Sequence, residues 1–222
     1  TGGTVNLVTK QPQPVAGYAF EQQAGSYGLL RSRIDATGPL DGAGRFLYRF
    51  NASYQRNDSF RDLVNNRDVF LAPTLRFNAS PDTRFTLALH YQHQRSSQDG
   101  PILAVDALTN LVLDNIPHAS NLSESNPVVT ETRAVRLTTH HDFNQDWSIE
   151  HKISFNGQRN DAQFAVPLFI DPDNLVYRIG FLDKMTHDTL ATNLDMSGHF
   201  ATPGMAHSLL LGADYLRLKT KS

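Results

Sequence analysis

The chain has 222 residues, no cysteine and a formal net charge of −2, which excludes disulfides and thiolate metal sites and removes the electrostatic case for a nucleic-acid partner. Mean hydropathy is −0.38, and the sequence holds no run of about 18 apolar residues that would form a transmembrane helix. A transmembrane β-barrel is compatible with both facts, because its strands alternate lipid-facing and lumen-facing residues.

At the N-terminus Gly2 and Gly3 allow a close backbone approach, residues 5–9 predict a short strand, and Pro12 ends it. Beyond it the sequence predicts strands at 15–25, 28–38, 45–57, 68–79, 84–97, 132–143, 147–160, 189–200 and 207–219. Their signal is period-2 alternation. In the third, Phe46, Tyr48, Phe50, Ala52 and Tyr54 share one face, while Leu47, Arg49, Asn51, Ser53 and Gln55 share the other. In the fifth, Phe85, Leu87, Leu89 and Tyr91 oppose Thr86, Ala88, His90 and Gln92. In the seventh, Trp147, Ile149, Ile153 and Phe155 oppose Ser148, Glu150, Lys152 and Asn156. The eighth sets Leu190, Leu194, Met196 and Phe200 against Asn193, Asp195 and His199. Such strands are long enough for the ~9–11 residues that cross a bilayer at a tilt.

The connections alternate in length. Segments 39–44, 80–83, 144–146 and 202–206 are short and rich in turn residues, whereas 58–67, 98–131 and 161–188 read as long loops; 26–27 is a tight exception. Short turns at one end and long loops at the other is the pattern of an outer-membrane barrel. Phe46, Phe77, Phe85, Phe143, Trp147 and Phe200 flank the short turns with apolar parity, as an interfacial girdle requires, and Tyr54, Tyr91, Phe155 and Tyr215 supply a second girdle nearer the other end.

Thr1-Gly-Gly-Thr-Val-Asn-Leu-Val-Thr-Lys-Gln-Pro12 resembles the closing segment of the plug domain in TonB-dependent siderophore receptors, with Gly2, Gly3, Asn6, Lys10 and Pro12 in the family's pattern. Ala24-Gly25-Ser26-Tyr27 resembles the first hairpin tip, and Ala36-Thr37-Gly38-Pro39-Leu40 the first periplasmic turn. Tyr48-Arg49, Ala72-Pro73, Asp99-Gly100-Pro101 and the strand from His207 to Tyr215 continue the likeness along the whole chain. The resemblance implies residues 1–14 as the C-terminal end of a plug domain. Residues 15–222 would then be the N-terminal portion of the barrel, an all-β antiparallel meander forming part of a larger transmembrane barrel. A full receptor of this kind has about 22 strands around a plugged lumen, so the chain is expected to be a fragment of one. The resemblance further implies an outer-membrane location, a ferric siderophore as transported ligand, outer-membrane lipid as surroundings, and energy supplied by the TonB complex through a segment outside this sequence.

Chemistry points the same way. Of nine histidines, His140 and His141 are adjacent and His90 and His93 three apart, so in strands each pair faces opposite ways and neither chelates one metal. No catalytic motif, resident metal site or cofactor motif is present, and the expectation is a receptor, not an enzyme. Gln92, Gln94, Arg95, His118 and Arg159 are the candidate ligand-binding residues, since polar groups on the inner wall and loops would fix a chelate. A receptor for haem, a cobalamin or a glycan is the alternative within the family, and a plain porin the alternative outside it.

Overall fold

The computed structural model describes residues 9–99, 116–125, 127–171, 173 and 175–222. Its strands are β1 (Gly17–Ala24), β2 (Leu30–Pro39), β3 (Phe46–Asp58), β4 (Asn65–Asn78), β5 (Thr83–Ser96), β6 (Glu124–Ser125), β7 (Val128–Asp142), β8 (Trp147–Ile170), β9 (Val176–Thr202) and β10 (Met205–Lys221). They form one antiparallel sheet in the order β1-β2-β3-β4-β5-β7-β8-β9-β10, with the two-residue β6 on the far part of β8. The all-β meander expected from the sequence is therefore what the chain forms. β1 and β10 are the two edges and do not pair with each other.

Turn chemistry sets the hairpins. Leu29 N–H donates to the Ser26 carbonyl across Tyr27 and Gly28, whose φ angles of 56° and 64° are both left-handed, the backbone that matches strand twist in a two-residue hairpin. Between β9 and β10, Pro203 fixes one φ and Gly204 takes φ 81°, so two residues reverse the chain. The short connections 40–45, 79–82, 143–146 and 203–204 all fall at one end of the sheet, because antiparallel neighbours reverse direction each time.

Register fixes the faces, since directly opposed residues point the same way. Tyr48, Leu75, Leu87, Leu137 and Ile153 form one row across β3, β4, β5, β7 and β8. The next row holds Leu47, Arg76, Thr86, Thr138, Lys152 and Asn193. Phe50, Leu87, Leu89, Ile153 and Leu194 thus lie on one face, called outer here. Arg49, Asn51, Arg76, Glu150, Lys152 and Asp195 lie on the other, as their parity predicts. The outer face has no second layer over it. Leu89 is 41% exposed and Val135 opposite it 44%, and among the described residues the buried hydrophobics are Leu47 and Ala162. A wall this apolar on its open side needs lipid as its core.

Aromatic side chains gather on the outer face beside the short turns. Phe46 stacks on Phe77 with centroids 4.7 Å apart, Phe77 continues to Phe85 at 6.3 Å, and Phe200 stacks on His207 at 4.8 Å. Trp147 lies directly across from Gly198, and a Cβ built on that glycine would come within 2.4 Å of the indole ring. The ring thus occupies the space the glycine leaves open. Gly198→Val is expected to cost about 1–3 kcal/mol by overpacking. Trp147→Leu in the same background should recover most of it, as read from denaturant unfolding of the full-length protein in bilayers; a loss unchanged by the second substitution would remove the indole from the explanation.

Two expected loops differ from the structure. Residues 161–188 are not a loop: β8 and β9 continue as a ladder from Asp161 opposite Lys184 to Ile170 opposite Val176, with a bulge between Pro167 and Phe169, and the connection shrinks to 171–175. The expected loop 98–131 also ends earlier, at Val128, and the described part of it carries β6. Above the bilayer no lipid enforces an apolar outer parity, so the upper strands lose the alternation by which the lower ones are recognised.

Candidate functional site: the inner face

The inner face carries three zones, beginning with a strap. Residues 9–14 lie across β2, β3 and β4. Asp35 on β2 accepts from Lys10 Nζ at 2.8 Å and from Arg49 Nε and Nη2 at 3.0 and 2.7 Å, a forked guanidinium–carboxylate pair. Arg49 Nη1 also donates to the Gln11 carbonyl at 3.1 Å, and Arg76 Nη2 to the Gln11 side-chain oxygen at 2.8 Å. Gln13 N–H donates to Thr37 Oγ1 at 2.9 Å, and Pro12 between them is fully buried. Charged side chains on the inner face of β2, β3 and β4 thus clamp a segment that lacks any ladder of its own.

Beyond the strap the wall bounds a cavity of about 800 Å³ whose lining includes Gln11, Arg76, Arg84, Arg136, Glu150 and Lys152. Lys152 and Glu150 pair at 2.6 Å, and His140 Nε2 approaches Asp142 at 2.9 Å. Towards the long-loop end the charges give way to amides and hydroxyls. Gln55, Asp68, Gln94, Thr130 and Asn160 form one cross-strand row. Gln92 donates to Asp68 at 2.8 Å, Thr130 to Asn160 at 3.0 Å, and Arg31 to Gln55 at 2.7 Å. Such a surface, amides and hydroxyls set around Asp68 and Arg31, offers donors and acceptors to a polar ligand. Among the described residues no group of three His, Asp or Glu is placed to hold a metal ion.

The candidate residues divide. Gln92 and Gln94 sit together on the inner face, two residues apart on β5. Arg95 has the opposite parity and faces outward, opposite Arg67. Arg159 is also outward, across from Glu131 and 3.6 Å from Asp161. His118 is exposed in the segment 116–123 at the long-loop end. Lys10 and Pro12 hold the strap, while Gly2, Gly3 and Asn6 lie outside the described residues, as do Ile102, Leu103, Leu111 and Val112 of the long connection. Sequence reasoning passed over Asp35, Arg49, Asp68 and Asn160, although the parity of their strands marks each as inner.

The segment 116–123 is tied down over this end. Arg61 pairs with Asp99 at 2.7 Å and donates to the Ser120 carbonyl at 3.1 Å, Asp62 N–H donates to the Ala119 carbonyl, and Arg178 Nε donates to the Leu122 carbonyl at 2.7 Å. The β8–β9 extension turns Phe164 and Phe181 towards each other on the inner side, centroids 5.3 Å apart.

No protein-family model matches the chain. It is 29% identical over 97% of its length to the metal-pseudopaline receptor of Pseudomonas aeruginosa, and 28% identical over 95% to the ferripyoverdine receptor of the same species. The crystal structure of that ferripyoverdine receptor, bound to ferripyoverdine, superposes on 96% of the chain with a TM-score of 0.86 at 23% identity. Its homologues are TonB-dependent siderophore and metal receptors. The chain spans 30% and 26% of the length of those two curated relatives, and its fold matches 29% of the crystallised receptor. The TonB-dependent receptors it matches are outer-membrane proteins, which accounts for the outward leucines and aromatic rim. The relatives are receptors, not enzymes.

Proposed function

We propose that this chain is part of the wall of an outer-membrane receptor that binds a ferric siderophore or a related metal chelate and imports it to the periplasm with TonB-coupled energy. In this reading residues 1–14 end the plug and 15–222 are the first part of the barrel. The observation that carries it is the division of one sheet into an apolar outer face and an inner face of amides around Gln92 and Gln94. A chelate already satisfies its metal, so the wall supplies hydrogen bonds and apolar contact and no metal ligands.

The test is growth under iron limitation. A strain lacking the full-length gene is expected to lose growth on one class of ferric chelate and regain it on complementation. Unchanged growth on every chelate would sink the siderophore reading, and loss on haem or a cobalamin would redirect it to that nutrient. Gln92→Leu with Gln94→Leu removes two donor–acceptor groups worth about 0.5–1.5 kcal/mol each. Chelate binding to whole cells is expected to weaken about tenfold at unchanged surface level.

A further inference from the structure

The outer face carries an arrangement that transport does not use. Arg56, Arg67 and Arg95 lie directly opposite one another on β3, β4 and β5, with the same outward parity as Tyr54 and Val69. All three are exposed. Like charges directly across a sheet repel, and strands only ~4.8 Å apart crowd three guanidiniums within about 10 Å. Among the described residues none of the three makes an ion pair, although other cations on this face do: Arg133 is held by Glu131, and Arg159 by Asp161. The nearest acids on the same face are Asp58, two residues beyond Arg56, and Glu131, which is engaged by Arg133, His93 and Tyr91.

Height gives the row its meaning. Phe46, Phe77 and Phe85 stack at the short-turn rim, and each arginine lies ten positions further along the same strand. Ten residues at ~3.3 Å rise and a tilt of ~40° climb about 25 Å, the height of the apolar band of such barrels. The arginine row therefore stands at the level of the opposite headgroups, on the long-loop side and so in the outer leaflet.

We infer that Arg56, Arg67 and Arg95 form a lipid-binding site on the outside of the barrel that receives the phosphate groups of an outer-leaflet glycolipid. Forked guanidiniums match phosphate oxygens, and a doubly charged phosphate between them turns mutual repulsion into attraction. Tyr54 and Val69, one row nearer the membrane centre, receive the adjoining acyl chain. The inference rests on the outer-membrane reading but not on the identity of the transported ligand, so the chelate-growth test and the following one fail separately.

The test uses the full-length receptor in detergent, with lipid retention read by native mass spectrometry and unfolding temperature by thermal shift. Diphosphorylated lipid A is expected to stay bound and raise the unfolding temperature, whereas the same lipid stripped of phosphate and millimolar inorganic phosphate are not. Arg56→Gln, Arg67→Gln and Arg95→Gln together should lower lipid A retention about tenfold. Arg133→Gln, which loses an acid-paired cation, should leave it within about twofold. Equal stabilisation by the stripped lipid, or by inorganic phosphate alone, overturns the proposal, as does unchanged retention in the triple variant. Should the triple variant not fold, the comparison of the two lipids on the wild-type receptor decides alone.

Discussion

Leu89→Arg is expected to cripple insertion of the full-length receptor into bilayers, while Gln92→Arg, three residues away on the same strand, leaves it nearly intact. Leu89 faces outward opposite Val135 within the apolar band, and an arginine at mid-bilayer on that face costs roughly 2–4 kcal/mol. Gln92 faces inward, where Asp68 already accepts its amide at 2.8 Å and would accept a guanidinium instead. The folded fraction in lipid vesicles, read by the mobility shift of unheated protein on a gel, separates the two. Equal losses would contradict the assignment of Leu89 to lipid and Gln92 to the lumen, and a larger loss for Gln92→Arg would mean that the two faces are interchanged.

The second large effect is expected at Asp35. Its carboxylate joins Lys10 of the strap to Arg49 of β3, and the Asp35 side chain is only 20% exposed. Asp35→Ala leaves the Arg49 guanidinium without its forked partner. Breaking a fully buried pair costs about 3–5 kcal/mol; water reaches this one from the lumen, so a loss of about 2–3 kcal/mol is expected. The strap should loosen at the same time. Limited proteolysis of the full-length receptor should then cut near residues 9–14 faster than in the wild type, and Asp35→Glu should restore much of the protection. A variant as resistant as the wild type would show that Pro12 and the Gln13–Thr37 bond hold the strap without the charges.

Lipid decided what could be read from the sequence. Where a strand crosses the membrane, solvent on one side is hydrocarbon, and the parity of Leu87 and Leu89 or of Ile153 and Phe155 follows directly. That same parity places Arg95 with Leu89 and Arg159 with Phe155, on the outside, so their placement was legible once face was weighed above residue type. The β8–β9 extension was not legible. Ala162, Phe164 and Val166 face inward there while Gln163 and Lys184 face outward, reversing the polarity of the strand below, and the reversal reads as irregular sequence. The strap's anchors were hidden differently: Lys10 lies twenty-five positions from Asp35, and nothing local announces a bond over that separation.

The unequal connections have a consequence for how the sheet is made. Every long strand pairs with its neighbours in sequence, so assembly can proceed hairpin by hairpin, each step closing one loop. β1 and β2 meet after the five residues 25–29, but β5 and β7 must find each other across everything between Ser96 and Val128. Each doubling of a loop adds about 0.6 kcal/mol of closure entropy, and between two and three doublings separate these cases, or about 1.2–1.8 kcal/mol. The β5–β7 joint is thus the natural pause in chain-order folding. It divides the sheet into β1–β5 and β7–β10, two meanders that can each form before they meet. The long connection is held from both sides, with residues 119–120 on Arg61 and Asp62 of the first meander and β6 on β8 of the second, so it is fully pinned only once both meanders exist. A slow folding phase that responds to the length of this connection, and to no other, is the kinetic mark such a division leaves.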